Sequence, residues 1–191
     1  MISQLRPALV LLVALHLLTG VLYPLVVTGV AQVAWHDKAN GSLLVEGGKV
    51  RGSSLIGQPF ASAGYFWGRP SATSPVPYDG SGSTGSNLGP TNPALMAAVR
   101  DRIAALRAAD PSLIGPIPVD LVTASGSGLD PDVSVAAALT QVPRIATARG
   151  LSQVRVRELV LGHASGRAFG ILGEPRVNVL ALNLALDRVR P

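Results

Sequence analysis

From Pro7 to Trp35 the chain runs for 29 residues without an Asp, Glu, Lys or Arg. As a helix rising ~1.5 Å per residue this run is about 43 Å long, more than the ~30 Å hydrocarbon core of a bilayer requires. A secretory signal has an apolar region of about 7–15 residues followed by a small-residue cleavage site. The run is longer than that, and Ala31-Gln32-Val33-Ala34 matches such a site poorly. A permanent anchor is therefore the expectation, with a cleaved signal as the alternative. Arg6 precedes the run, whereas Asp37 offsets Lys38 on its far side. That asymmetry places the amino terminus in the cytoplasm. The predicted organisation is a cytoplasmic terminus (1–6), a transmembrane helix (7–35) with Trp35 at the outer interface, and an extracytoplasmic domain (36–191).

Within the span, His16, Thr19, Gly20, Tyr23 and Pro24 break the aliphatic pattern. Small and hydroxyl residues let helices approach closely, so these positions are expected to form a packing face against other membrane helices. Thr19-Gly20 and Thr28-Gly29 stand nine residues apart, which in a regular α-helix puts them on opposite faces. His16 reads either as a mark of an ion pathway or as a neutral ring bonded to backbone. One helix makes no pore.

The 156 residues from His36 onward suit one domain. Charged residues are 14% of the chain and its mean hydropathy is +0.38, which argues against disorder. The absence of cysteine excludes disulfides, zinc–cysteine sites and thiol nucleophiles. The 16 basic and 11 acidic residues give a net charge of +5. They form no Lys/Arg block, so no nucleic-acid partner is expected.

The fold class expected is α+β, with a small sheet and several helices. Leu43-Leu44-Val45, a turn at Glu46-Gly47-Gly48-Lys49 and Val50 onward read as a hairpin. Residues 64–93 form a long loop in which 16 of 30 are Gly, Pro or Ser. Five of the six aromatics after Trp35 (Phe60, Tyr65, Phe66, Trp67 and Tyr78) lie in or beside it. Linkers avoid aromatics, so this loop is expected to be ordered and functional. Asn92 caps a helix opened by Pro93, with Leu95, Val99, Ile103 and Leu106 on one face until Asp110-Pro111. Val119–Thr123 reads as a strand, and Ser125–Leu129 as a turn. Asp130-Pro131 then starts a second helix, which Pro143 interrupts and Gly150 ends. Ser152 starts another helix, and the last is expected over Val177–Leu186 with Val177, Leu180 and Leu184 inward.

Catalytic motifs are weak. Gly80-Ser81-Gly82-Ser83-Thr84-Gly85 fits GxGxxG, but the prolines around it leave no strand before and no helix after. No GxxxxGK[ST] and no Gly-x-Ser-x-Gly elbow occurs. His16, His36 and His163 lack partners at ligand spacing. Asp130 and Asp132 read as capping groups before acid–base groups. Gln141 and Arg144, at a helix break, either hold a loop or face a partner. Arg155 and Arg157 read as a solvated face. Asn178 and Asn183, in an apolar stretch, either hold the adjacent loop or face another surface.

A collinear series of segments runs through the chain. It begins with Leu5-Arg6-Pro7-Ala8 and Thr19-Gly20…Tyr23-Pro24, and continues through Asn40-Gly41-Ser42-Leu43, Val50-Arg51-Gly52-Ser53 and Leu55-Ile56-Gly57-Gln58. Tyr65-Phe66-Trp67-Gly68-Arg69-Pro70-Ser71-Ala72 follows, then Gly85-Ser86-Asn87-Leu88, Leu121-Val122-Thr123-Ala124-Ser125, Gly128-Leu129-Asp130 and Gln141-Val142-Pro143-Arg144. Pro175-Arg176-Val177-Asn178-Val179 and Leu182-Asn183-Leu184-Ala185-Leu186-Asp187 complete the set. Together these segments resemble the KdpC family, the C subunit of the bacterial ATP-driven potassium uptake complex.

The resemblance implies a non-catalytic, single-span subunit of an inner-membrane pump, with no tightly bound cofactor. Its implied partners are a channel-like potassium-binding subunit, a P-type ATPase subunit that hydrolyses ATP, a small fourth subunit, and the lipid bilayer. It implies a role in assembly, with the outer domain over the potassium entrance of the channel-like subunit. Partner contact is expected at the 60–90 loop and the Thr123–Asp130 turn, through Arg69, Ser71, Tyr78, Asp79, Ser86, Asn87, Ser125 and Asp130. A second family view is a catalytic chaperone that raises ATP affinity, and only under it is ATP a ligand. Its candidate residues are Gln141, Arg144 and Ser152. Leu151-Ser152-Gln153-Val154-Arg155 departs from the Leu-Ser-x-x-Gln-like pattern which that view uses.

Overall fold

The computed structural model describes residues 2–189. They form two compact units, one ending at Arg51 and the other beginning at Gly52. The first unit is dominated by α1 (Leu5–Ala34), a 30-residue helix long and apolar enough to cross a membrane. No residue of α1 is buried. Its middle, Leu18–Leu22, is a π-helical turn in which the N–H of Tyr23 donates to the Leu18 carbonyl five residues back. The cause lies just downstream. Pro24 has no N–H and its ring crowds the carbonyl four residues earlier, so the turn ahead of it widens. This corrects the facial geometry expected from the sequence. A π turn rotates less per residue than an α-helix, so Thr19-Gly20, which lie inside it, stand closer to Thr28-Gly29 around the axis than the half-turn expected.

The polar side chains of α1 satisfy themselves locally. Thr19 Oγ1 donates to the Leu15 carbonyl at 2.7 Å and His16 Nδ1 lies 2.8 Å from the Leu12 carbonyl. In an apolar medium such back-bonding spares the group its desolvation cost. Helix α1 ends at Trp35. A short helix α2 (His36–Ala39) leads to the hairpin of β1 (Leu43–Glu46) and β2 (Lys49–Ser53).

The second unit is α+β. Helix α3 (Pro93–Ala109) begins as the sequence suggests, with the Asn92 side chain accepting the Ala94 N–H at 2.9 Å. Its inner face meets the core through Leu106, Ile103 and Val99. Three short strands follow, β3 (Asp132–Ser134), β4 (Ala164–Ser165) and β5 (Arg176–Asn178). They form one antiparallel sheet with β5 in the middle, Val133 pairing Val177 on one side and Ala164 pairing Val177 on the other. Helices α4 (Val135–Thr140), α5 (Val142–Arg149), α6 (Gln153–Gly162) and α7 (Val179–Asp187) complete the unit. Helix α6 packs against α4, α5 and α7, turning Val156 and Val160 inward as an i, i+4 pair.

Three local expectations are corrected. Val119–Thr123 is no strand: Val119–Leu121 is a single 3₁₀ turn after Pro118. Asp130-Pro131 starts no helix, because residues 132–134 pair with β5 and the helix waits for Ser134, whose hydroxyl accepts the Ala137 N–H. The last helix begins at Val179 rather than Val177, since Arg176–Asn178 is the central strand. Its inward set is Val179, Leu180, Leu182, Asn183 and Leu186, with Leu184 only half-buried. In the last two cases pairing with a distant partner outweighs the local signal.

Candidate functional site

The long aromatic loop is built into the second unit by three polar side chains, from the α4–α5 junction, α5 and α7. The carboxamide of Asn183, 1% exposed, accepts the Phe66 N–H at 2.8 Å and donates to the Phe66 carbonyl at 3.0 Å. One residue on, Gln141 does the same for Trp67, accepting its N–H at 2.8 Å and donating to its carbonyl at 3.1 Å. A carboxamide presents one donor and one acceptor side by side, as a residue of a neighbouring strand does. Two side chains thus stand in for a strand that the loop lacks. Phe66 is fully buried between them.

Arg144 completes the clamp. It donates to Gln141 Oε1 at 2.7 Å, to the Tyr65 carbonyl at 3.0 Å and to the Ala63 carbonyl, and its guanidinium stacks 4.5 Å from the centre of the Trp67 ring. Burial pushes this guanidinium down to about 10, against a smaller upward pull from Asp110. It remains a cation at neutral pH, and its carbonyl partners offset the desolvation. Arg149 repeats the theme nearer the surface, donating to the Gly64 carbonyl at 2.7 Å, pairing with Asp187 at 2.7 Å and covering the Tyr65 ring.

Beyond the clamp, the loop folds back on itself and on the 124–130 turn. Ser71 Oγ donates to the Gly128 carbonyl at 2.7 Å and accepts the Tyr78 N–H at 2.9 Å. Thr73 Oγ1 accepts the Asp79 N–H and donates to the Val76 carbonyl. The Tyr78 hydroxyl donates to the Arg69 carbonyl, and burial followed by the charge of Asp130 raises the phenol above its ordinary range. Arg69 reaches across to Asp130 at 3.1 Å. Ser125, buried, donates its N–H to the Pro70 carbonyl. Gly128, at φ +69°, sits where a Cβ would lie 2.6 Å from Thr84 O, so loop and turn touch backbone to backbone there.

Of the residues expected from the sequence to meet partners, the structure brings Arg69, Ser71, Tyr78, Ser125 and Asp130 into this one assembly. Asp79 lies at its edge, where the hydroxyl and N–H of Ser81 bond its carboxylate and hold it below the usual carboxylate range. Ser86 and Asn87 are exposed farther along the loop, Asn87 at φ +53°. Gln141 and Arg144 lie inside the clamp, and Ser152 caps α6 by accepting the Arg155 N–H. His16, Thr19, Gly20, Tyr23 and Pro24 all sit in or beside the π turn of α1. Sequence reasoning did not find Arg149 or Asp187 as parts of the brace, because their partners lie far along the chain; Thr73, whose partners Val76 and Asp79 are close in sequence, was missed because the loop around it has no regular pattern. The opposite side of the Arg69–Asp130 pair borders an open cleft of about 580 Å³ that also holds Asp120, Asp132, Glu174 and Arg176. Its carboxylates are engaged: Asp132 pairs with Arg176 at 2.8 Å, and Asp120 accepts the Ser134 N–H at 2.7 Å.

Residues 5–188 match the family described as KdpC, K+-transporting ATPase, c chain. The chain belongs to the KdpC family. It is 63% identical to the potassium-transporting ATPase KdpC subunit of Sorangium cellulosum, over all of both chains. Identity is 62% to the same subunit of Methylibium petroleiphilum over 99% of each chain, and 58% to that of Methylococcus capsulatus over all of both. KdpC membership makes the chain an accessory subunit of a potassium pump, with partner subunits. Helix α1 fits a single-pass membrane protein of such a complex. In this KdpC chain, the clamp and the turn it supports are the parts of the second unit most elaborately fixed by side-chain hydrogen bonds.

Proposed function

We propose that the chain serves the assembly and stability of an ATP-driven potassium pump, with its amino terminus in the cytoplasm and residues 36–191 outside, docked on the channel-like subunit. The observation that carries this reading is the double carboxamide clamp of Asn183 and Gln141 on Phe66 and Trp67. A loop of this composition is costly to order; the clamp fixes its start at Phe66 and Trp67, and the bonds of Ser71, Thr73 and Thr84 hold the part that carries Asp79, Ser86 and Asn87 as a preformed polar surface. Preorganisation of that kind lowers the entropy cost of docking. In this reading Asp79 and Asp130 lie toward the potassium entrance and offset a net positive domain.

Two experiments test it. Protease treatment of intact spheroplasts carrying a carboxyl-terminal tag cleaves the tag if the domain lies outside; protection until lysis reverses the orientation. Asp79→Asn with Asp130→Asn weakens the apparent potassium affinity of the assembled pump, and an unchanged affinity removes the carboxylates from the account. The alternative, a catalytic chaperone that raises ATP affinity, asks Gln141, Arg144 and Ser152 to meet nucleotide. Gln141 and Arg144 are 3% and 6% exposed and committed to the loop, and the domain's outward orientation separates it from ATP. ATP binding by the full-length chain, lost on Ser152→Ala, would restore that reading.

A further inference from the structure

Helix α1 carries two polar groups near its middle that no other group satisfies among the described residues. Its span from Leu5 to Ala34 puts the midpoint between Thr19 and Gly20. At ~1.5 Å per residue, Thr19 to Tyr23 lie within about 6 Å of that midpoint, well inside the ~30 Å hydrocarbon layer of a bilayer. The Thr19 carbonyl would take its hydrogen bond from the N–H of residue 23 in an α-helix, and from that of residue 24 in a π turn. Here the Tyr23 N–H donates to the Leu18 carbonyl instead. Residue 24 is proline, which has no N–H. Nor does a side chain step in. The Thr19 hydroxyl is spent on the Leu15 carbonyl, and the His16 ring lies against that of Leu12.

The second group is the phenol of Tyr23, one turn along from the same peptide. Tyr23 is 65% exposed, and its hydroxyl has no partner among the described residues. Tyrosines of membrane helices gather at the two interfaces, where the hydroxyl meets water and headgroups. Tyr23 sits at neither interface. Gly20, between the two groups, has nothing beyond its own helix backbone within 4 Å of where a Cβ would lie, so the approach is open. An acceptor and a donor are thus stranded one turn apart at a depth where unpaired polar groups are expensive.

We propose that α1 docks through this turn on a membrane helix of another pump subunit, which donates a side-chain hydrogen bond to the Thr19 carbonyl and accepts one from the Tyr23 hydroxyl. Ser, Thr, Asn and Gln side chains each hold both a donor and an acceptor, and they bond across helices in membranes. Lipid is the wrong occupant on chemical grounds. Acyl chains have neither donor nor acceptor, so a helix ringed by lipid leaves both groups unpaired. Potassium transport supplies the partner. One helix makes no pore, so the chains that carry the ion path span the bilayer and present membrane helices. The inference rests on the chain being a subunit of that pump with α1 in the membrane, and it adds a polar contact to that reading.

Two substitutions address the groups separately, in the full-length chain co-expressed with the other pump subunits. Tyr23→Phe removes only the hydroxyl. Pro24→Ala returns an N–H, lets the turn revert to α and gives the Thr19 carbonyl a donor within its own helix. Each is expected to lower retention of the chain in the detergent-purified pump about three- to tenfold. Unfolding of the chain alone in detergent should not respond to Tyr23→Phe, because the hydroxyl has no intrachain bond to lose. Benzoylphenylalanine in place of Val27, one turn beyond Tyr23 on α1 and exposed, is expected to form an adduct with another subunit on irradiation of membranes. Two copies of α1 can trade a phenol for a carbonyl, and an adduct between copies would reveal that case. Retention unmoved by both substitutions, or a pump that purifies intact with no adduct to another subunit, overturns the docking turn and leaves the subunit reading standing. A chain that fails to co-purify with the pump before any substitution overturns both.

Discussion

The 60–92 loop and the 166–174 hairpin solve opposite halves of one problem. The loop is long and rich in Gly, Pro and Ser, with little regular structure of its own, yet its Phe66 is fully buried. The hairpin is short and internally hydrogen-bonded, yet its Phe169 is almost wholly exposed. Regular backbone pairing and burial of apolar side chains are therefore separable here. In the loop, buried peptide groups are satisfied by borrowed carboxamides; in the hairpin, the peptide groups are satisfied and the apolar side chains are not. The first arrangement buries apolar surface within the fold, and the second leaves it in solvent.

The largest expected effect breaks the loop side. Asn183→Leu keeps the volume in the core but strands the N–H and C=O of Phe66 away from water. At about 1–3 kcal/mol for each unsatisfied buried group, destabilisation is expected at roughly 2–5 kcal/mol, read from thermal or denaturant unfolding of the full-length chain in detergent. A loss below about 1 kcal/mol would mean that the loop finds other partners and that the clamp is incidental.

Gln141→Ala should cost less, about 1–3 kcal/mol, because Trp67 is only half-buried and water reaches part of the gap. It also takes a partner from Arg144. Since the two carboxamides hold adjacent peptides, the double variant with Asn183→Leu is expected to lose less than the sum, by about 0.5 kcal/mol or more. Strict additivity would show two independent ties rather than one clamp.

Tyr78→Phe tests the outer part of the brace through pH. Burial and Asp130 raise the Tyr78 phenol in the folded chain above its ordinary value of 10.0. The folded state thus keeps a proton that the unfolded state gives up. The stability this contributes is complete below pH 10 and is lost as pH rises from there through the raised folded value. The variant lacks the hydroxyl bond to Arg69, so at neutral pH it is expected to be less stable by about 1 kcal/mol. Above pH 10 the gap between the two proteins should narrow. A gap that stays constant into the alkaline range would mean that the phenol titrates alike in both states.

What the sequence made legible follows the same division between local and distant causes. Asn92-Pro93, Gly150 and Ser152 mark helix ends because a cap is settled within a few residues. The strands at 132–134 and 176–178 were not legible, because three-residue strands are set by each other. Pro131 and Val177 carry no sign of that pairing. The oddity of a mid-helix Asn183 was visible, but its partner lies 117 residues away and sequence spacing does not reach it. The Arg69–Asp130 pair, 61 residues apart, was legible only as two members of a candidate surface. At the hairpin tip, nothing in the sequence announced that Phe169 would take the left-handed conformation.

The smallest effect sharpens the hairpin side, and its sign matters more than its size. A non-glycine residue held in the left-handed region costs about 1–2 kcal/mol, whereas glycine there is unstrained but pays more backbone entropy on folding. Phe169 also buries almost nothing that its removal would forfeit. Phe169→Gly is therefore expected to leave the full-length chain as stable as before or more stable by up to about 1 kcal/mol, measured by the same unfolding experiment. Asn183→Leu and Phe169→Gly would then move in opposite directions for reasons that can be stated in advance. If Phe169→Gly instead lowers stability by more than about 1 kcal/mol, the aromatic ring is packed within the chain itself, and the contrast between the two regions collapses.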